Sequence, residues 1–324
     1  MSAISEIGGY LELERFEGQP YHKNAIALNC GRGCLSYLIE LRQIERIWVP
    51  DYMCGSVPKL FRREGVEVLF YPVGMDMRPE YHVFSIAAKD WIYLADYFGQ
   101  LKEEDVREAI LASDGRLIVD ETQGFFRSPW RGADTLYTCR KWFGVSDGGY
   151  LVTADGAALE RTLPLDESHN RMGFLLGRFE RPASDYYAEA SRNNDCFDSE
   201  PAKIMSPITQ NILRAVDYDA VKLRRDANWD VLDSAFSSIN EFDLIKPEGA
   251  FMYPLLIKGA QRIRAKLIEQ RIYIPCLWPD VAEIASNETA ALRLARNVLP
   301  LPLDQRYGVD EMDLIVSMIE KMLR

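Results

Sequence analysis

The sequence predicts an α/β protein in which a large domain with a mostly parallel sheet precedes a smaller C-terminal α+β domain. Short apolar, β-branched segments alternate with helical patterns through the first half of the chain. Helical segments then dominate from about residue 155 to residue 232, and strand patterns return after residue 250. Strands that alternate with helices are joined by right-handed crossovers, which favours a parallel sheet covered on both faces.

The elements of the large domain follow from apolar periodicity. Brief apolar runs indicate buried strands, and apolar residues three and four positions apart, such as Leu35, Leu38 and Ile39, indicate helices. The predicted strands cover residues 25–28, 46–49, 66–71, 91–95, 117–119, 135–138 and 150–153, and the predicted helices cover residues 34–41, 56–63 and 102–111.

The second half predicts three helices and then a separate α+β unit. We expect a large domain over residues 1–215, with residues 1–20 as an N-terminal arm, and a small domain over residues 216–324 that begins with a long linking helix. The predicted helices are 186–192, 208–216, 218–236, 260–270, 290–296 and 309–323; the predicted strands are 252–257 and 272–274, with at most a short extended piece at 298–299.

Composition narrows the class of function. The chain has 324 residues, is 48% hydrophobic and carries a net charge of −11, which disfavours nucleic acid and anionic membranes as partners. No apolar run approaches the roughly 18 residues of a membrane span, and the N-terminus lacks the pattern of a secretory signal. The six cysteines have no metal-binding spacing. We therefore expect a cytoplasmic protein without a metal site.

The first candidate site motif lies between a predicted strand and helix. Gly31 and Gly33 flank Arg32 in the segment 29–34, which indicates a sharp turn with free backbone amides. A helix that begins there adds the positive end of its dipole, so the segment could bind a phosphate. A simple tight turn is the alternative, since the segment is neither a Walker motif nor a full GxGxxG fingerprint.

Two further segments place reactive side chains at predicted strand ends. Asp120 ends an apolar strand and could hold a ring nitrogen in its protonated form, with Gln123 three residues on; a helix N-cap or a solvated loop is the alternative. Lys141 follows Arg140 at the end of the next strand, and burial beside another cation would lower its pKa and make it nucleophilic. A plain surface lysine is the alternative reading.

Together these motifs resemble fold-type I enzymes that use pyridoxal 5′-phosphate (PLP), in which a phosphate-binding turn, an Asp and a Lys occur in this order. The chain as a whole resembles shorter members of the DegT/StrS-like sugar aminotransferase family. The resemblance is carried by Glu6–Tyr10, Asn29–Leu35, Trp48–Tyr52, Asp96–Gln100, Asp120–Gln123, Arg140–Gly149, Ile272–Pro275 with Trp278 just beyond, and Leu299–Pro302.

The resemblance implies a role for each matching residue. Lys141 would carry PLP as a Schiff base and move protons, Asp120 would hold the pyridinium N–H, and Gln123 would face the phenolic oxygen. The amides of Gly31, Arg32 and Gly33 and the hydroxyl of Thr138 would bind the phosphate. The implied function is transfer of an amino group from an amino acid to a keto sugar, which we expect to be nucleotide-linked, in a homodimer with shared active sites.

The sequence departs from the family pattern at the ring-stacking position and in the segment before the lysine, where Thr138–Lys141 is shorter than the usual Ser-x-His-like stretch. Cys54 stands where an aromatic residue usually stacks on the cofactor, so Tyr52 or Tyr97 would take that role. Family dimers often donate an asparagine to the partner's phosphate, and Asn170 and Asn228 are the candidates.

Other readings stay open at this stage. The enzyme could use PLP for dehydration, elimination or another amino-acid transformation, or the chain could be a non-catalytic member of the fold. Arg224 or Arg225 could bind a substrate anion or lie on a solvated helix face, and Trp278 could line a substrate cleft or anchor the core of the small domain.

Overall fold

A seven-stranded sheet forms the centre of the molecule in the computed structural model, which describes residues 7–281 and 289–324. Residues 1–6 of the predicted N-terminal arm lie outside the described residues. The strand order is β1-β7-β6-β5-β4-β2-β3. The strands are β1 (Ile26–Leu28), β2 (Arg46–Pro50), β3 (Glu67–Tyr71), β4 (Trp91–Ala95), β5 (Leu117–Asp120), β6 (Asp134–Thr138) and β7 (Gly149–Val152).

The sheet is mostly parallel, as predicted. Strands β2 to β6 run parallel to one another, whereas β7 pairs antiparallel with both β1 and β6. The carboxyl ends of β2, β4, β5 and β6 therefore meet at one edge, which is where open α/β sheets collect ligands.

Helices cover both faces of this sheet because its central strands are apolar on both sides. Successive residues of β5 enter opposite core clusters: Leu117 and Val119 pack on one face, and Ile118 packs on the other. The helices of the described residues are α1 (Gly31–Arg42), α2 (Ser56–Arg63), α3 (Glu103–Ser113), α4 (Gly173–Glu180), α5 (Tyr187–Asp195), α6 (Pro207–Arg214), α7 (Tyr218–Phe236), α8 (Ala260–Glu269), α9 (Ala290–Asn297) and α10 (Val309–Leu323).

The C-terminal part has its own two-stranded antiparallel sheet, β8 (Met252–Leu256) with β9 (Val298–Pro302). A separate core, which includes Trp229 of α7, Tyr253 of β8 and Ile315 of α10, joins the sheet to its helices. This agrees with the predicted α+β character. The position of the domain boundary near residue 215 stays a prediction.

Two predicted elements of this region differ from the structure. The strand predicted at 272–274 is absent. The N–H of Ile272 donates to the carbonyl of Leu267, and Arg271 has a positive φ of 63°. These residues therefore form the C-terminal cap of α8 and do not pair with a strand. The extended piece predicted at 298–299 is instead the full strand β9, since the apolar and proline-containing stretch pairs with β8 throughout.

The N-terminal segment is fixed to α6 by one side chain. The amide of Asn211 accepts from the backbone N–H of Phe16 at 2.9 Å and donates to the carbonyl of Glu14 at 2.7 Å. Before this attachment, large apolar side chains such as Ile7 and Leu11 are exposed. None of the helices in the described part of the chain combines the length and apolar composition that a membrane crossing requires.

An ion pair connects α1 to β6, the two elements that border the candidate site. Arg42 binds the buried carboxylate of Asp134 through Nε at 2.8 Å and Nη2 at 2.7 Å, and it also binds Asp155. The side chain of Asp134 is 2% exposed, whereas that of Asp155 is 57% exposed. Asp134 also accepts from the N–H of Ala154.

We predict that Asp134→Ala lowers the free energy of unfolding by about 3 kcal/mol, because it leaves Arg42 and the Ala154 N–H without their buried acceptor. The matched change Asp155→Ala should cost at most about 1 kcal/mol, since that carboxylate is solvated. Urea denaturation of both variants measures the difference. Equal losses would show that burial of the Asp134 carboxylate contributes nothing.

Candidate active site

A cavity of about 410 Å³ opens at the carboxyl edge of the sheet. It brings together side chains from α1, from the loops after β2, β4, β5 and β6, and from the segment that follows α8. Of the residues predicted for the site, Gly31, Arg32, Cys54, Asp120, Gln123, Thr138 and Lys141 line this cavity, together with Tyr97 and Trp278.

The turn at the start of α1 forms one end of the cavity. Helix α1 begins at Gly31, three residues before the predicted start, because the thiol of Cys30 caps it and accepts from the N–H of Gly33 at 3.2 Å. A Cβ on Gly33 would lie only 2.1 Å from Oδ1 of Asn29, so only glycine fits there. The first-turn amides have no intrahelical acceptors and carry the positive end of the dipole.

Asp120 stands at the end of β5, in register with Ala95 of β4 and Leu136 of β6. Its Oδ1 accepts from the N–H of Thr122 at 2.8 Å, and its Oδ2 accepts from the hydroxyl of Tyr93. These two donors fix the orientation of the carboxylate at the cavity wall. Asp120 is therefore a strand-end acid that faces a ligand space and not a helix cap.

Gln123 is oriented by the neighbouring strand loop. Its Oε1 accepts from the N–H of Phe98 at 2.8 Å. The side chain is buried and lines the cavity. Because its oxygen is used by the backbone, the NH₂ end is available as a donor to a ligand.

Lys141 presents its side chain to the interior of the cavity. The side chain is accessible to solvent through the cavity, and the residues that line the cavity surround its amine. Desolvation lowers the pKa of Lys141, and the carboxylate of Asp120 partly opposes this effect. The positive charges of Arg140 and Arg32 lower the pKa further. A larger fraction of the amine is thus neutral and nucleophilic than in a solvated lysine.

The turn that carries Lys141 is held from both sides. The indole N–H of Trp142 donates to the carbonyl of Thr122 at 3.0 Å, which connects the lysine to the loop after Asp120. On the other side, Gln305 donates to the carbonyl of Trp142 at 2.7 Å. These contacts hold the lysine backbone against both the sheet and the C-terminal part.

The aromatic residues divide into two groups. Tyr97 and Trp278 reach the cavity, whereas Tyr52 is fully buried and donates to the carbonyl of Leu277 at 3.1 Å. The hydroxyl of Tyr97 donates to the carbonyl of Tyr52. Of the two predicted ring-stacking candidates, the structure thus brings Tyr97, but not Tyr52, to the cavity, and Cys54 lines it as well. Trp278 lines the cavity and packs on Tyr52 at 4.9 Å between ring centroids, in the core cluster of the large sheet and not in that of the small domain.

Two further predicted candidates lie elsewhere. Asn228 is fully buried and donates to the carbonyls of Leu303 and Tyr307, so it cannot reach across a subunit interface. Arg225 is buried as well: it donates to the carbonyl of Ala250 and lies 4.4 Å from the ring centroid of Trp142. The reading of a solvated helix face is therefore wrong for Arg225 but holds for Arg224, which is exposed like Asn170, and neither arginine lines the cavity.

One wall of the cavity was not predicted. The end of α5 and the residues after it contribute Asn194, Asp195 and Asp198. Arg32 joins this wall to α1 through an ion pair with Asp198 and a 2.8 Å hydrogen bond to the carbonyl of Asn194. More than 160 residues separate the partners, so no local pattern in the sequence indicates the contact.

Comparison with known proteins gives a match by structure but not by sequence. No protein-family model matches the chain, and no curated protein matches it either. Solved structures match nearly its whole length.

The similar structures named below are aminotransferases whose sequences are 13–14% identical to this chain. The sugar aminotransferase CalS13 from Micromonospora echinospora is 13% identical, with a TM-score of 0.68 over 95% of this chain and 93% of that chain. The PLP form of Spr1654 from Streptococcus pneumoniae is 13% identical, with a TM-score of 0.65 over 93% and 88%. A DegT DnrJ EryC1 StrS aminotransferase from Brucella abortus is 14% identical, with a TM-score of 0.64 over 92% and 85%. The resemblance predicted from the motifs is thereby confirmed for the fold: this chain has the fold of the DegT/StrS-type aminotransferases.

Proposed function

We propose that the protein is a PLP-dependent aminotransferase that moves an amino group from an amino acid to a keto sugar, in nucleotide-linked form. The observation that carries the proposal is the meeting of Lys141 and Asp120 in one cavity beside the first turn of α1. The fold similarity to CalS13, a sugar aminotransferase, supports the substrate class.

The residues of the cavity fit each functional group of PLP. An aldehyde needs an amine of lowered pKa, which Lys141 offers. A pyridine nitrogen needs an oriented carboxylate, which Asp120 offers, and a phenolic oxygen needs a donor, which the NH₂ group of Gln123 offers. A phosphate needs free amides at a helix start, which α1 offers.

Each side chain would then have one task. PLP, when bound, withdraws electrons from the substrate carbon that bears the amino group. Lys141 would bind the coenzyme covalently through Nζ and, once released, move a proton from and to that carbon. Asp120, held by Tyr93 and the Thr122 amide, would keep the ring nitrogen protonated. Tyr97 and Trp278 would limit the access of water.

A homodimer in the cytoplasm completes the proposal. Its support is the row of exposed apolar side chains in the N-terminal segment, since Ile7, Tyr10 and Leu11 are each more than 90% exposed and would pack on a second copy. Asn170 is the remaining candidate for a residue that reaches the partner's cofactor. All six cysteines are free thiols, which supports a reducing compartment.

We predict that wild-type protein mixed with PLP develops the visible absorbance of lysine-bound coenzyme, and that Lys141→Ala abolishes it. Lys59→Ala is the matched control, because Lys59 also lines the cavity but lies on α2, and burial lowers the pKa of Lys141. A spectral titration of the three proteins measures the result. If Lys141→Ala keeps the band, the covalent assignment is wrong.

The reaction type is tested by addition of an amino donor alone. We predict that glutamate converts the absorbance of the lysine-bound coenzyme to that of the aminated coenzyme without a keto sugar present. An unchanged spectrum with glutamate and with a panel of other amino acids, combined with turnover of a different substrate, would refute transamination in favour of another PLP reaction.

We predict that Asp120→Asn slows this half-reaction by about 10- to 100-fold, because a charge-assisted hydrogen bond to the ring nitrogen contributes about 1.5–3 kcal/mol. Stopped-flow absorbance measures the rate. Asp195→Asn, the same chemical change at the exposed side of the cavity wall, serves as control and should leave the rate within about twofold. Equal effects of the two variants would exclude a specific role for Asp120.

A further inference from the structure

Three arginines surround one buried aromatic ring beside the cavity. The Cζ atoms of Arg140, Arg171 and Arg32 lie 4.5, 5.1 and 5.9 Å from the ring centroid of Phe197. Phe197 is fully buried in the segment that follows α5. Guanidinium groups pack well on aromatic faces, but the ring supplies no negative charge to neutralise three cations.

Two of the three guanidinium groups have a carboxylate partner. Arg32 pairs with Asp198 and also donates to the carbonyl of Asn194. Arg171 pairs with Asp166 at 2.6 Å. Both cations are thus committed to protein groups.

Arg140 differs from its two neighbours. Among residues 7–281 and 289–324 no carboxylate lies within 4.0 Å of it, and its one hydrogen bond is a long contact of 3.4 Å to Oδ1 of Asn194. Its Nε is inaccessible to solvent and has no hydrogen-bond partner among the described residues. Desolvation lowers the pKa of Arg140, as expected for a cation that has lost water without gaining an anion.

The groups nearest to Arg140 offset its charge only in part, and none of the carboxylates in the described residues pairs with it directly. Burial raises the pKa of the Cys30 thiol, so that group is neutral. Asp147 is already the acceptor for the N–H and hydroxyl of Ser206 and the hydroxyl of Thr209. Arg140 is partly buried, with an inaccessible Nε and no carboxylate partner among the described residues, which is a costly state for a cation. Its place on the cavity wall therefore indicates an anionic ligand.

We propose that Arg140 is the side chain that binds the phosphate group of the coenzyme, opposite the amides at the start of α1. Arg140 lines the same cavity as Gly31 and Thr138, and a guanidinium can bind two oxygens of a dianionic phosphate at once. The inference rests on the proposed function and adds a residue that the motifs did not identify. Arg32, by contrast, serves as a positioning residue that holds Asn194 and Asp198 in place.

A purely structural role makes a different prediction. If Arg140 only packed on Phe197, its loss would loosen the segment after α5 and weaken every ligand of the cavity alike. If Arg140 instead binds the phosphate, its loss weakens only the binding of molecules that carry a phosphate group. PLP and pyridoxal, which differ in that group alone, therefore separate the two roles.

The experiment is titration of the apo form of the full chain with PLP and with pyridoxal, followed by absorbance and intrinsic fluorescence. For wild type we expect PLP to bind more tightly than pyridoxal. Arg140→Gln should reduce this preference at least tenfold, equivalent to about 1.4 kcal/mol, while the affinity for pyridoxal stays nearly constant. Arg140→Met, which keeps apolar contact with Phe197, should show the same loss if Arg140→Gln does not fold.

Two more variants complete the set. Arg140→Lys keeps the positive charge and should recover part of the preference, although an ammonium does not bind two oxygens in the same fork. Arg171→Gln removes the same kind of contact with Phe197 and should keep the preference within about twofold. An unchanged preference in Arg140→Gln and Arg140→Met overturns the inference and leaves the proposed function intact. Failure of the wild type to bind PLP overturns the proposed function itself.

Discussion

The arrangement depends on one constraint, the parallel register of β4, β5 and β6. Because these strands run in the same direction, their carboxyl ends deliver Ala95, Asp120 and the Thr138–Lys141 turn to one edge of the sheet. The antiparallel return of β7 then places the start of α1 beside the same edge, where the N–H of Gly148 donates to the carbonyl of Asn29. Acid, amine and helix terminus meet there because the strand direction and the return of β7 bring them to the same edge.

A second constraint comes from two carboxyl groups that are buried next to the site. Beside the cavity, burial raises the pKa of both Asp96 and Glu121. The charge of Asp96 raises the pKa of Glu121 further, whereas Arg127 lowers the pKa of both carboxyl groups. A Cβ on Gly124 would lie 1.9 Å from Oε2 of Glu121, which explains the glycine after Gln123.

Much of the site followed from the sequence because it is built from strand ends. A strand-end Asp and a strand-end Lys are visible as the last polar residues of apolar runs, and α2 and α7 were predicted with their observed limits. The strand predicted at 272–274 failed because apolar content alone does not distinguish a strand from a helix end that folds back onto the core. The prediction that Tyr52 faces the cofactor could not be checked from local sequence, because the direction of its side chain depends on Leu277, which is 225 residues away.

The sequence by itself determined the alternation of strands and helices in the large domain, the glycine turn before α1, and the candidate residues Asp120, Gln123 and Lys141, since each depends on local periodicity or on residues a few positions apart. Only the tertiary structure decided which charges are compensated. The partners of Arg32 and Arg140 come from the segment after α5, far along the chain, and burial of a guanidinium is a property of the packed molecule. Local sequence cannot encode that burial, because the cost of removing water depends on everything that surrounds the charge.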